Sequence, residues 1–476
     1  MQLGAIIEQG PADWAILQQT NGRADIRLSG SWHHPEPAGH PTVYVRLVRE
    51  DSNTVVVPWR ACEQDGDSTR WTAVIQGVPA GGLYRIETCL NVNRQPIEWS
   101  VRGDMIHHIG VGDLFVVAGQ SNASGFGRDA IYDPPELGVH VLRNRGTWDL
   151  ASHPLNESTR TAHIDNREGS NGGHSPYLSF ARLLKRELGY PIGLISAASG
   201  GSRLGEWNPD EQGVLYRNLL RIVGQLEQPF SIRGVLWYQG CSDASLKLGS
   251  DYLARFSRMV AELRRETGQP DLPILTVQLN RLTERADDDA DRSWGQVREA
   301  QRQAARVLSD VYVVPSTDCG LSDAIHNSSL SNLRLGERLG RLALHELYGR
   351  QTAAYAHAPQ IFRATREAGR RRVRLLFEHV HERLEMQDTG IYEADGVSPF
   401  PFRVEDERGT VPIAGFVHGP DGAVELELER EPAGQARIHG CFEQNPAAFV
   451  PFDLDSHLPM LSFYDVPIFN EEGTDN

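Results

Sequence analysis

A serine stands directly behind an apolar, strand-like run in Asp113-Leu114-Phe115-Val116-Val117-Ala118-Gly119-Gln120-Ser121-Asn122, and the small residues Ala123, Ser124 and Gly125 follow it. A strand ending in such a turn presents one hydroxyl at the rim of a sheet, and open α/β sheets gather their ligands outside the carboxyl ends of their strands. A serine hydroxyl is a poor nucleophile at neutral pH; it needs a base for its proton and donors for the oxyanion that forms. The sequence offers both. Asp323-Ala324-Ile325-His326 sets a carboxylate three residues before an imidazole. At that spacing a short turn can bring the carboxylate to one ring nitrogen and leave the other to face the serine. Gly200 and Gly201 allow a backbone N–H to enter the site free of side chains. The Ser121 N–H and a group from Gln239–Asp243 would complete an oxyanion hole. The expectation is acyl transfer, with Ser121 as nucleophile, His326 as base and Asp323 as its acid; Asp318 is held in reserve. Singly these features are ordinary: a serine after a strand is usually a turn or an N-cap, and a Gly-Gly pair is usually a turn. The joint occurrence carries the reading.

Elements that would bring these residues together can be read from periodicity. Between 109 and 350, strand-like runs alternate with helical stretches: Leu114–Ala118, the helix Tyr177–Leu188, Ile192–Ser196, a helix over Leu215–Leu226, Gly234–Tyr238, a helix over Tyr252–Arg265, Ile274–Gln278, a helix over Ser293–Val307, Val311–Pro315, and a helix over Asn332–Leu347. Strict alternation predicts a parallel sheet with helices on both faces. The loops Gly119–Asn122, Ala197–Ser202, Gln239–Asp243 and Asp318–His326 each follow a strand, so all four fall on one edge. Residues 1–108 read as a β-sandwich, with strands near Ala24–Leu28, Thr42–Leu47, Thr54–Pro58, Trp71–Ile75 and Tyr84–Leu90 and turns such as Glu36-Pro37-Ala38-Gly39. Residues 351–476 return to β character at Val373–Phe377, Phe402–Val404, Ala423–Leu428 and Ala436–His439. Three domains are therefore expected: 1–108, 109–350 and 351–476. The acidic run Asp287–Asp291 reads as a solvated surface loop, because the glycine and spaced glutamate of a calcium loop are missing. His33-His34 and His107-His108 are adjacent, and neighbours on a strand point to opposite faces.

Composition narrows the classes. With 47 basic and 63 acidic residues the net charge is −16, which argues against nucleic acid as a partner. The five cysteines are scattered without Cys-x-x-Cys spacing, so a zinc knuckle is not expected and a reducing, cytoplasmic setting is. No secretory segment and no membrane span is apparent. The Gly-x-Ser-x-Gly elbow is absent, since position 123 is alanine, which disfavours the α/β-hydrolase fold.

These residues resemble the SGNH-type carbohydrate esterases, in particular the sialate O-acetylesterase-like family. The likeness rests on Gly112-Asp113 with Gly119-Gln120-Ser121-Asn122, Ser175-Pro176 with Ser179-Phe180-Ala181, Gly200-Gly201-Ser202 with Trp207, Trp237-Tyr238-Gln239-Gly240, Arg298-Glu299-Ala300-Gln301, and His326 with Gly336-Glu337-Arg338. The resemblance implies a flavodoxin-like SGNH domain flanked by β-sandwich regions, and hydrolysis of sugar O-acetyl esters without metal or other cofactor. By position it makes Ser121 the nucleophile, His326 the base, Gly200 or Gly201 an oxyanion donor, and Gln239 the side-chain donor. Arg203, Trp207 and Tyr238 are candidate sugar-facing groups, with Asn122 and Asp243 beside them. Two positions depart from the pattern: Cys241 stands where the family has glutamate after Gln-Gly, and Asn327 where proline follows the histidine. A carbohydrate-binding protein on an impaired scaffold and a lipid or thioester hydrolase are the alternatives.

Overall fold

The computed structural model describes all residues except 1–2, 36–38, 65, 67, 352–354, 368, 392–399, 420–421 and 472–476. The turn expected at Glu36–Gly39 lies mostly outside the described residues. At the centre are six parallel strands: β1 (Val101–Gly119), β2 (Val139–Leu142), β3 (Ile192–Ser196), β4 (Gly234–Tyr238), β5 (Ile274–Val277) and β6 (Val311–Val314). They lie in the order β2-β3-β1-β4-β5-β6, with Trp148–Leu150 antiparallel on the outer edge of β2. The chain leaves β1 toward one side and later returns to the other, so the crevice for a ligand opens at the carboxyl end of β1. The buried strands are continuous apolar runs because helices cover both faces. One of those helices, Tyr177–Leu188, packs on Ser329–Glu346 at Gly336, where a methyl group would collide with Ser179 Oγ and the Pro176 carbonyl.

The boundary expected after residue 108 is not a linker. β1 is one strand of 19 residues, whose first part pairs antiparallel with Gly81–Asn91 and whose last part pairs with β3 and β4. Between them, residues 110–112 pair with Ile16–Gln18. Ile109 and Val111 belong to the N-terminal core while Leu114–Ala118 belong to the central one. The N-terminal region is otherwise the expected sandwich. Gly4–Gln9, Arg23–His33, Arg70–Pro79 and Glu63–Gln64 form one sheet, and Thr42–Arg49, Val55–Ala61 and Gly81–Asn91 face it through a shared apolar core.

The C-terminal region holds an eight-stranded sheet that includes Gln360–Arg366, Arg372–Glu378, Phe402–Asp406, Val424–Leu428 and Ala436–Gly440. The pair Leu384–Asp388 and Phe449–Asp453 packs on it around one core. It is fastened to the central domain by Arg298, fully buried, which donates to the carbonyls of Leu279 and Asn280 on one side and of Cys441, Phe442 and Glu443 on the other. Burial depresses this guanidinium to about 10.

The acidic run is not a loop. Asp287 caps the helix Asp288–Val307, its carboxylate accepting the Ala290 N–H at 2.7 Å. Asp288, Asp289 and Asp291 fill the first turn, where negative charge meets the positive end of the helix dipole.

Candidate active site

Ser121 opens a single helical turn, Ser121–Ser124, at the end of β1. Gly119 makes the approach possible: its φ is +127°, and any side chain there would collide with the Tyr238 carbonyl of β4. The Gln120 N–H is held by that carbonyl at 2.9 Å. Its side-chain oxygen accepts the Gly240 N–H at 2.8 Å, which locks the first loop to the third. As the first residue of the turn, Ser121 has no intrahelical partner for its N–H.

The expected Asp-x-x-His turn is present. Asp323 Oδ1 accepts the N–H groups of Ile325 (3.0 Å) and His326 (2.8 Å), and Oδ2 meets His326 Nδ1 at 2.7 Å. Burial pushes the Asp323 carboxyl up, but the hydrogen bonds from the His326 ring and the two backbone N–H groups outweigh it, and the net shift is downward. The carboxylate thus stays ionised beside Nδ1, and its contacts leave Nε2 unengaged by Asp323. Phe126 stacks on the imidazole, centroids 4.8 Å apart and planes at 23°. Asn280 Nδ2 donates to the Ile325 carbonyl at 2.7 Å and to Asn327 Oδ1 at 2.8 Å.

Ser121 and His326 line one open cleft of about 550 Å³, together with Gln120, Phe126, Glu168, Gly200, Gly201, Arg203, Cys241, Ser242 and Ile325. They are not hydrogen-bonded to each other; such contacts often tighten only when substrate is bound. Ser121 is 9% exposed, enough for its hydroxyl to reach the cleft while the backbone stays fixed.

Several expected site residues lie elsewhere. Gln239 is fully buried, and its amide donates to Asp243 Oδ2 at 2.6 Å and to the Ser202 carbonyl at 3.2 Å, so neither N–H points into the cleft. Asp243 is buried as the ion-pair partner of Arg255 (3.0 Å) and also accepts the Leu204 N–H. Trp207 is buried against Trp237, with its N–H on Ser202 Oγ at 2.9 Å. Tyr238 is buried with its hydroxyl near Ser316 and Asn327. These four support the loops rather than meet a ligand. Asn122 is buried as well: its amide bridges the Ile325 carbonyl and the Asn327 N–H, tying the serine turn to the histidine turn. Asp318 forms a two-pronged pair with Arg338 (2.7 and 2.6 Å) and does not reach His326. Of the proposed ligand-facing residues, Arg203 alone lines the cleft.

The cleft also holds a residue with no sequence signal. Glu168, from the irregular stretch between β2 and β3, accepts the Gly200 N–H at 2.6 Å. A carboxylate therefore sits on one of the two expected oxyanion donors. Cys241 is buried at the rim of the third loop, and burial pushes its thiol up to about 12.

A parallel α/β sheet that collects a strand-end serine and an Asp-His pair in one cleft defines a hydrolase class, and comparison with known proteins places the chain within it. Residues 111–345 match the profile of the family described as carbohydrate esterase, sialic acid-specific acetylesterase. The central domain is similar to that family over just under half of the chain, and the protein is an esterase. The Arabidopsis thaliana protein named "Probable carbohydrate esterase At4g34215" is 29% identical over 252 residues, 48% of this chain and 90% of its own length. Human sialate O-acetylesterase is 23% identical over 308 residues; the match spans 54% of this chain and 55% of the human protein. In structure, a carbohydrate acetylesterase from Xanthomonas citri shares the fold across 95% of this chain and 97% of its own, with a TM-score of 0.64 at 20% identity.

Proposed function

We propose that the protein removes acetyl groups from carbohydrates by a serine-esterase mechanism on a flavodoxin-like SGNH domain. The observation that carries the proposal is the Asp323–His326 pair, 2.7 Å apart, opening into the cleft that holds Ser121. In this mechanism Ser121 Oγ attacks the acetyl carbonyl as its proton passes to His326 Nε2, and the Asp323 carboxylate stabilises the imidazolium. The Ser121 N–H and the glycine loop receive the oxyanion. On collapse, His326 returns the proton to the departing sugar oxygen, leaving acetyl-Ser121; water, activated by the same imidazole, then releases acetate. Small residues around the serine (Gly200, Gly201, Ser242) suit a short acyl group, and exposed Arg203 offers a donor to sugar oxygens.

The Cys241 departure leaves this assembly intact, because the buried thiol contributes to neither Asp323 nor His326, which weakens the case for an inactivated binding scaffold. Acetate release from acetylated xylan, xyloglucan, pectin and sialosides, with Ser121→Ala as control, tests the proposal. Wild-type release with a loss of roughly 10⁴-fold or more in the variant supports it; equal rates exclude Ser121 as nucleophile.

A further inference from the structure

Away from the cleft, two imidazoles and a carboxylate converge where the last central helix, Ser329–Glu346, meets the C-terminal sheet. Glu346 Oε1 lies 2.6 Å from His357 Nε2 and 3.7 Å from His345 Nε2. The three ligand atoms fall within 4.8 Å of one another. The two rings stand perpendicular, at 88°, with centroids 5.5 Å apart. Two imidazoles bound through Nε2 to one tetrahedral ion, at metal–nitrogen distances of about 2.0–2.1 Å, have centroids roughly 5 Å apart and ligand atoms about 3.3 Å apart. The observed spacings straddle those values.

His345 gives a second, independent pointer. At 3.7 Å its Nε2 is too far from Glu346 for a hydrogen bond, and its Nδ1 is buried without a partner. Among the described residues neither nitrogen has a hydrogen-bond partner; a cation at Nε2 gives the ring a role. The site also lies at a helix C-terminus, where the backbone carbonyls favour positive charge. The three side chains are 39, 22 and 32% exposed, so water can complete the coordination.

A second cluster, Asp133 with His153 and His174, shares the orphaned ring nitrogen, at His174 Nδ1, but its geometry and charge differ. Its rings stack at 4.0 Å and 29°. The Ser175 N–H approaches His153 Nδ1 at 3.4 Å, so the proton sits on the Nε2 that faces Asp133. Arg182 already neutralises the carboxylate at 2.8 Å. That cluster is a hydrogen-bonded clamp.

We propose that His345, Glu346 and His357 bind a divalent transition-metal ion of zinc-like preference, which staples the central domain to the C-terminal sheet. His345 and Glu346 belong to the former, and His357 leads into the Gln360–Arg366 strand of the latter. The test uses the full chain, stripped with EDTA and re-equilibrated at low-micromolar free zinc, with bound zinc counted by elemental analysis and Tm followed by calorimetry. The expected result is about one zinc per chain and a Tm raised by a few degrees. His345→Ala and His357→Ala should each weaken uptake roughly tenfold or more while keeping the metal-free Tm; His345→Gln and His357→Asn serve if either alanine variant is unstable. His153→Ala should bind zinc as wild type does. Wild-type protein that takes up no zinc, or a His345/His357 double variant that takes up as much as wild type, overturns the proposal.

Discussion

Replacing Asp323 by asparagine should harm activity more than replacing it by alanine. The carboxylate makes three contacts: Oδ1 receives two backbone N–H groups, and Oδ2 receives His326 Nδ1 at 2.7 Å. An asparagine side chain would keep the first two through its amide oxygen, preserving the turn. Its NH₂ would then face Nδ1 and force the proton of a neutral imidazole onto Nε2, where it blocks acceptance of the serine proton. Where the equivalent exchange has been made in a Ser-His-Asp triad the loss is about 10⁴ in kcat, or roughly 5 kcal/mol of barrier. Alanine removes the orienting charge but imposes no tautomer. The Asp323 side chain is 39% exposed, so water can take its place at Nδ1, and we expect a loss of about 10²–10³, within the range of general-base contributions. Initial rates on p-nitrophenyl acetate at neutral pH, with circular dichroism to confirm folding, decide the matter. An Asp323→Asn enzyme as active as Asp323→Ala would refute the tautomer argument, and one within tenfold of wild type would remove Asp323 from the mechanism.

Three further expectations concern the cleft, the helix pair and the thiols. Glu168 competes with a developing oxyanion for the Gly200 N–H, and a neutral acceptor holds an N–H about half as strongly as a charged one. Glu168→Gln should therefore raise kcat/KM for acetyl esters about tenfold, or ~1.4 kcal/mol; a fall would show that the carboxylate instead holds the glycine loop in its active shape. Gly336→Ala adds helix propensity worth about 1 kcal/mol, yet its methyl meets the Pro176 carbonyl, which cannot move cheaply. A net loss of about 1–3 kcal/mol is expected in denaturant titration, and an unchanged midpoint would contradict the packing. All five cysteines are free and buried, and burial pushes Cys62, Cys241, Cys319 and Cys441 up to about 12. Ellman's reagent at pH 8 should label none of these four in the native protein and all of them after denaturation; rapid native labelling of Cys241, at the cleft rim, would contradict its burial.

The parts of this molecule governed by local periodicity are legible in the sequence. Tyr177–Leu188, Ile192–Ser196 and Gly234–Tyr238 have the expected bounds, because each is a regular element whose apolar residues face one core. The Asp323–His326 contact is legible for the same reason: three residues of spacing settle it. Side-chain direction at loop residues is not. Gln239, Trp207, Tyr238 and Asp243 sit on the correct edge of the sheet but turn inward, since buried polar groups must find partners and Ser202, Ser316 and Arg255 supply them. Asn122, expected to touch ligand, instead joins two turns about 200 residues apart, a contact that no local pattern encodes. Glu168 gives no signal because it comes from a stretch with little regular structure, placed only by the tertiary fold. The acidic run at 287–291 reads as a solvated loop because the missing glycine and glutamate argue only against calcium, whereas the same charges favour a helix start.

The unbroken 19-residue strand makes the sandwich and the esterase sheet a single mechanical piece. Scission at residue 108 would not release an autonomous catalyst. It would strip the antiparallel neighbour from the root of the beam that carries Ser121, bare Ile109 and Val111 to water, and leave Asp113 without the Gln18 and Gln19 amides that donate to its carboxylate. The N-terminal region therefore serves as the abutment against which the nucleophile is cantilevered, whatever else it touches. Shortened versions of this enzyme should keep residues 1–108 joined to the catalytic sheet.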